Sequence, residues 1–369
     1  MKNYSTLSSP VNYGNILLKN RIIFAPTTLG LKEEEYLDKI DNIAKGGCAL
    51  IVVGDVPVAE SRHGFSLFSK SGFKHYKNIA DTAHKYDCLV SAQLHQNDTQ
   101  FKGMFKYIPK LITGKLTKAD LKQVINEKTG EYISNIKTEE VRKITSSFGN
   151  AAVKAVEAGF DMVMVHGDRM CGSFSSSLFN KRNDEYGGSL ENRTRFAVES
   201  VKAIRKELPD IAIDYKLAVR IDHPHYGNAG ITEDEIKTFV PALEKAGVTS
   251  FHVTLADHGK LEDTIPPLDH KDFGEEGCFL KFCDEVKKYT NLPVCGVGGL
   301  SDPVYIEEQL KSGRIDCAAM SRQLIADPQW YNKVISNKED TINICRRCNK
   351  KCLGGMYEHK GVHCIYEKE

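Results

Sequence analysis

Two groups of residues in this chain have types and spacings that suggest chemistry. The first is His166-Gly167-Asp168-Arg169, which follows directly on the apolar run Met162-Val163-Met164-Val165. A strand that ends in a histidine, an acid and a base places three polar groups where packing alone has little use for them. Such a set can hold or deliver a proton to charge that develops on a reacting molecule. A guanidinium is a poor acid, so Arg169 reads as an anchor and electrostatic stabiliser, with Asp168 as the acid or as its orienting partner. The competing reading is an Asp168–Arg169 ion pair that fixes a tight loop, with His166 a satisfied wall residue. The second group is Cys345, Cys348, Cys352 and Cys364, spaced CxxCxxxC and then eleven residues to the last Cys. Four thiolates this close can hold one [4Fe–4S] cluster. A structural zinc needs the same number of ligands but more often takes them from two CxxC pairs, and four unrelated thiols are the third reading.

Both groups need a scaffold. The 369 residues are 41% hydrophobic, enough for one large core or two moderate ones. Fifty basic and forty-nine acidic residues leave a net charge of +1, which points to neither nucleic acid nor a membrane surface. No apolar run approaches the roughly 20 residues that span a bilayer, and the N-terminal MKNYSTLSSP lacks the apolar core of a secretory signal. The expected location is cytoplasmic. That setting suits eleven cysteines used as thiols or ligands, four of them near the C-terminus.

Eight short runs alternate with helical patterns: RIIFAP (21–26), CALIVV (48–53), LVSAQL (89–94), DMVMVH (161–166), YKLAVRI (215–221), SFHVTL (250–255), LPVCGV (292–297) and IDCAAM (315–320). Between them lie amphipathic stretches such as TEEVRKITSSFGNAAVKAVEAG. There Thr138 reads as the N-cap, Val141, Ile144, Phe148 and Ala155 lie near one face, and Gly159 closes the helix. TEDEIKTFVPALEKAG repeats the pattern from Thr232 to Gly247. The alternation implies an α/β fold, a (β/α)8 TIM barrel over 1–335, followed by a short C-terminal iron–sulfur segment over 336–369. An open doubly wound sheet is the alternative, but no GxGxxG turn follows the first strand.

Active-site residues of such a barrel follow the C-terminal ends of its strands. Here these are Pro26, Thr27 and Thr28 after the first strand, Gly54 after the second, Gln93 and His95 at the third, and His166 at the fourth. Arg220 closes the fifth, Gly298 and Gly299 follow the seventh, and Ser321 and Arg322 follow the eighth. Two glycines after one strand and an arginine after the next suit a phosphate, held by backbone N–H groups and a guanidinium. A plain turn is the other reading of the glycine pair.

LKNRIIFAPTTLG, AQLHQ, NKRNDEYGGSLENRTRF (180–196), VGGLSDP and AAMSRQLIADPQW resemble the old yellow enzyme family over nearly the whole chain. The resemblance implies noncovalent FMN, which accepts hydride and passes it to an activated C=C bond. It also implies that Thr28 hydrogen-bonds the flavin carbonyl edge, that Gln93 binds the pyrimidine, and that Arg220 stabilises the reduced flavin near N1 and O2. Gly299 and Arg322 match phosphate contacts, while Ser321 stands where the family usually has glycine. The cysteine spacing resembles the 2,4-dienoyl-CoA reductase and trimethylamine dehydrogenase branch, whose cluster relays single electrons to FMN. Longer members continue into a flavin and nicotinamide domain. This chain stops five residues after Cys364, so a separate flavodoxin-like or reductase electron donor is expected.

Ordinary ene-reductases of the family follow His166's counterpart with a second ligand and a proton-donating Tyr, neither of which is present here. The His166-Gly-Asp-Arg169 tetrad resembles instead the bilirubin-reducing branch of gut bacteria. What the resemblance implies is reduction of bilirubin to urobilinogen-type products, with Asp168 or Arg169 replacing the Tyr. Reduction of enoyl thioesters or steroids, amine demethylation, and service as an electron-transfer subunit are the alternatives. A flat tetrapyrrole with two propionates suits an apolar pocket edged by cations. The insertion from about 96 to 137 is a candidate lid, with Phe101, Phe105 and Tyr107 to stack on pyrroles and Lys102 or Lys106 to meet propionate. A solvated, charged loop is the plainer reading of that insertion. His258 loosely matches a histidine that assists proton delivery in dienoyl-CoA reductases.

Overall fold

All eight expected strands form and close on one another. The structure, a computed structural model, describes residues 4–367 except 62–63, 99–106, 108, 110–111, 114–117, 224–226 and 257–258, with the backbone alone at 118–120 and 122. In chain order the strands are β1 (Val11–Tyr13), β2 (Ile16–Leu18), β3 (Ile22–Thr27), β4 (Leu50–Pro57), β5 (Leu89–His95), β6 (Met162–His166), β7 (Ala212–Arg220), β8 (Ile231–Thr232), β9 (Ser250–Leu255), β10 (Val294–Gly296) and β11 (Cys317–Met320). Parallel pairing runs from β3 through β4, β5, β6, β7, β9 and β10 to β11, and β11 pairs back onto β3. β8 only extends the end of β7. The fold is a TIM barrel.

Alternation along β7 shows how the sequence builds both layers of the core. Ile213, Tyr215, Leu217 and Val219 join the cluster that includes helix residues, whereas Ala212 joins the barrel's inner cluster with Met162, Met164, Cys295 and Cys317. The hairpin β1–β2, which sequence patterning missed, packs Tyr13 and Leu18 into that inner cluster with no exposed surface. Its turn needs Gly14, whose φ of +74° is left-handed. Tyr13 Oη donates to Asp214 Oδ2 at 3.0 Å and Ser250 Oγ donates to Asp214 Oδ1 at 3.0 Å. Burial outweighs both hydrogen bonds and pushes the Asp214 carboxyl up to about 7.

The helix Thr138–Glu157 buries Val141, Phe148 and Ala155, and Gly159 beyond it has φ +95°. Thr138 is not its N-cap. Lys137 occupies that position, and the Thr138 hydroxyl donates instead to Asp184 Oδ2 at 2.9 Å, since that carboxylate faces the start of the helix. Thr232 does cap, in a reciprocal box with Glu235, and Gly247 ends the following helix at φ +115°. Within the expected insertion, Lys118–Asn135 is helical. Of the proposed lid contacts, Phe101, Lys102, Phe105 and Lys106 lie outside the described residues, as does His258. Among the described residues no helix is long and apolar enough to cross a membrane.

The C-terminal segment folds back onto the C-terminal ends of the strands. Val362 N–H donates to Leu29 O at 2.8 Å and Cys345 N–H donates to Gln323 Oε1 at 2.8 Å.

Candidate functional site

A cavity of about 250 Å³ opens where the strands end. Its walls begin with two irregular strands. Register shifts between Phe24 and Thr27 on β3 and between Val53 and Val56 on β4, a common device beside functional sites, so Pro26, Thr27, Thr28 and Gly54 turn into the cavity. Gly54 suits this tight approach, because an added Cβ would stand 3.0 Å from Thr27 N. Next to it Asp55 sits at φ +53° and accepts a hydrogen bond from Thr28 Oγ1 at 2.8 Å. Burial pushes its carboxyl up, but His95 and Arg169 together with the Thr28 hydroxyl outweigh that and hold it well below its ordinary value. Asp55 was missed from the sequence, where only a Gly-Asp pair after a strand marked it.

The tetrad after β6 is packed tightly. Asp168 is 4% exposed and His166 5% exposed, and both line the cavity with Arg169. The Arg169 N–H donates to His166 Nδ1 at 3.2 Å, which makes Nδ1 the acceptor and leaves Nε2 to carry the ring proton. Nε2 lies 4.0 Å from Asp55 Oδ1. Burial, and then the charge of Lys216, push His166 well below the usual histidine range, so it is neutral. Only glycine fits at 167, because a Cβ there would fall 2.2 Å from Lys216 O and 2.5 Å from the Tyr215 ring.

The NKRNDEYGGSLENR motif supports this turn from behind. Asn180 Nδ2 donates to Phe174 O at 2.6 Å and Tyr186 O at 2.7 Å, and Arg193 donates to Ser175 O. The Phe174 and Ser175 carbonyls belong to the buried helix Met170–Ser175 that directly follows the tetrad. Arg182 donates to Ile133 O at 2.9 Å and Ile136 O at 2.6 Å, tying down the end of the insertion's helix. The motif most specific to the family therefore positions the site and does not line it.

Parallel register then places one polar row across three strands. His166 on β6 is paired with Lys216 on β7, and Lys216 with His252 on β9. All three line the cavity, as does Gln93 on β5. Arg220, the cation expected at this strand, does not line it. Its guanidinium donates to Asp222 Oδ1 at 2.9 Å and to Ser177 Oγ at 3.4 Å, because four residues further along β7 have carried it past the cavity wall. Lys216 and His252 were overlooked, although a Lys in YKLAV and a His in SFHVT are polar interruptions of apolar strands. The His252 Nδ1 is buried without a hydrogen-bond partner, and burial followed by the Lys216 charge pushes the ring down to about 3.

At the far end of the cavity Gly298 and Gly299 have φ of +126° and +70°. Ser321 and Arg322 join them, with Thr27 Oγ1 2.7 Å from Ser321 Oγ. Arg322 Nη1 donates to Pro266 O at 2.9 Å and Asn349 Oδ1 at 2.7 Å. Arg347, also missed, lines the same end and is 7% exposed.

Cys345, Cys348, Cys352 and Cys364 all line one small void, together with Arg322, Arg346 and Lys351. Arg322, Ile325, Cys345 and Cys352 also line the large cavity, so the two spaces share a wall. Among the described residues no three His, Cys, Asp or Glu groups are gathered closely enough for one metal ion. Arg347 and Asn349 in this loop have φ of +46° and +54°, a conformation that asparagine visits readily but that costs a residue such as arginine about 1–2 kcal/mol.

The model of the NADH:flavin oxidoreductase / NADH oxidase family matches residues 6–341. The chain belongs to this family. Like the other members of the NADH:flavin oxidoreductase family, it is a flavin-dependent oxidoreductase. It is 55% identical over 369 residues to the bilirubin reductase of Clostridium symbiosum, a match covering 99% of this chain and 98% of that protein. It is 33% identical to the bilirubin reductase of Mediterraneibacter gnavus over 98% of this chain but only 57% of the relative. The fold matches histamine dehydrogenase from Rhizobium sp. 4-9 with a TM-score of 0.80 at 23% identity, over 99% of this chain and 52% of that one.

Membership implies FMN, and the cavity fits it. Two guanidiniums and a pair of left-handed glycines suit a phosphate at one end. Gln93, Lys216 and the unpartnered His252 Nδ1 offer hydrogen bonds to a pyrimidine at the other.

Proposed function

We propose that the chain binds FMN in the mouth of the barrel and one [4Fe–4S] cluster on Cys345, Cys348, Cys352 and Cys364. With these it reduces conjugated C=C bonds of bilirubin to urobilinogen-type products. The observation that carries the reading is the 55% identity to a bilirubin reductase along essentially the full length of both proteins. When bound, FMN supplies the hydride. Thr28, Gln93 and Lys216 would hold its ring, and Gly298, Gly299, Ser321 and Arg322 its phosphate. Lys216 here takes the role that the family resemblance gave to Arg220.

Hydride addition to one carbon leaves negative charge on the conjugated system, and a proton must reach the partner carbon. Asp168 is the buried acid at the cavity wall and is our candidate to move that proton. Arg169 then holds the substrate and steadies its charge. His166, held neutral, can donate from Nε2 but adds no cation. The cysteine segment, residues 336–369, would pass single electrons through the shared wall at Cys345 and Cys352. Their source is a separate donor protein, and a cytoplasmic setting keeps the remaining cysteines as thiols.

The test is anaerobic. The flavin of the purified chain is reduced, bilirubin is added, and flavin reoxidation is followed alongside loss of the pigment's visible absorbance. Stoichiometric reoxidation with bleaching is expected. A flavin that stays reduced beside unchanged pigment would remove bilirubin as substrate; turnover of enoyl thioesters, steroids or amines would then identify the alternative.

A further inference from the structure

Arg346 and Arg347 are adjacent in sequence but are placed differently by the structure. Arg346 is exposed, with its guanidinium 5.6 Å from the centre of the Tyr366 ring. Arg347 turns inward from a left-handed backbone, φ +46°, inside the Cys345–Cys348 loop. Its Nη1 donates to Glu275 O at 3.1 Å and its Nη2 donates to Gly274 O. The guanidinium rests on Gly299, where an added Cβ would fall 2.4 Å from Nη1. Glycine at 299 therefore does two things: it adopts φ +70° and it leaves room for this side chain.

Arg322 and Arg347 share an unusual feature for buried arginines. The hydrogen bonds that hold each of them go to neutral oxygens: Pro266 O and Asn349 Oδ1 for one, Glu275 O and Gly274 O for the other. Of the carboxylates that line the cavity, Asp55 lies within β4 and Asp168 follows β6, and neither is on β10 or β11. Two guanidiniums held in place by carbonyl and amide oxygens at one end of a cavity offer positive charge to a bound anion, Arg322 sharing its own with the nearby Cys345 and Cys352. A phosphate dianion carries the opposite charge and presents pairs of oxygens that the fork of a guanidinium matches.

We infer that Arg347, supplied by the cysteine loop, is a second phosphate-binding guanidinium that makes the cavity select a phosphorylated flavin over the same flavin without phosphate. The inference rests on the reading that the cavity holds FMN. Because Arg347 lies between two cluster ligands, the loop that carries the cysteines also completes the flavin site.

The test uses the full chain with its flavin removed anaerobically, titrated with FMN and with riboflavin while quenching of flavin fluorescence is followed. Loss of a charge-assisted hydrogen bond costs about tenfold to a hundredfold in affinity. Arg347→Gln is expected to weaken FMN by that factor and leave riboflavin unchanged, with Arg347→Lys recovering part of the preference. Iron content and melting temperature report separately on whether the loop is intact. If Arg347→Gln loses iron or melts early, the Lys variant decides. A several-fold drop in its FMN preference supports the inference, and a wild-type preference overturns it. A wild-type preference in the Gln variant, or equal losses for both flavins, also overturns it while leaving the FMN reading in place. A wild-type chain that binds neither flavin would overturn both.

Discussion

Asp214 and Lys216 stand two residues apart on β7, so both face the inside of the barrel, yet the two ends of that barrel treat them in opposite ways. The N-terminal end is closed by the β1–β2 hairpin, and there the carboxyl of Asp214 is fully surrounded and pushed up to about 7. At the C-terminal end Lys216 is half-buried and lines an open cavity between two neutral histidines. The two environments lie only about 7 Å apart along the strand. What separates them is cover: Tyr13 and Leu18 plug one end, while the other is left for a ligand to fill. The lesson is that charge inside a barrel acquires a role from the cap above it, and the type of residue alone does not say which.

The largest expected effect belongs to the open end. Asp168→Ala or Arg169→Ala should cut bilirubin turnover by about 10²–10⁴-fold while flavin and iron content stay near wild type. Loss of flavin or of folding in either variant would return the pair to a loop-fixing role and blur the contrast between the ends.

A smaller effect sharpens the contrast within β7. Lys216→Met should weaken flavin binding about tenfold, whereas Arg220→Met, whose partner Asp222 is 77% exposed, should leave flavin affinity unchanged. Flavin titration of the two variants distinguishes them, and the reverse ranking would restore Arg220 to the site.

The closed end gives the smallest effect. An unfolded aspartate titrates near about 3.9, whereas folding holds Asp214 at about 7. Its contribution to stability is therefore complete below pH ~4 and is lost as pH rises through about 7. Melting temperatures should fall by a few degrees between pH ~5 and ~8 in the wild type, and by less in Asp214→Asn. Equal slopes would mean that Asp214 is already ionised in the folded chain.

The scaffold was largely legible because period and punctuation decide it. Apolar runs of six or seven residues separated by capped amphipathic helices leave few folds open, and all eight strands lie where that pattern puts them. The residues closing each strand were legible for the same reason, since Thr28, Gln93, His166 and Arg322 all line the cavity. Lys216 was not, because choosing between two cations on the same face of β7 requires knowing how deep the cavity reaches. Arg347 was hidden by Arg346: adjacent arginines look alike until a left-handed backbone turns one of them inward. Thr138 shows the reverse failure, a sound local cap overridden by Asp184 from a loop 46 residues away.

The wall shared by the two cavities has a kinetic consequence. With the hairpin plugging the far end, the described residues leave the mouth as the way in for a bulky pigment. On the proposed reading, electrons cross at Cys345 and Cys352 instead, so reductant and pigment do not have to take turns at one entrance. A donor protein could then recharge the enzyme while the pigment is still seated, and successive double bonds of one molecule could be reduced without its release.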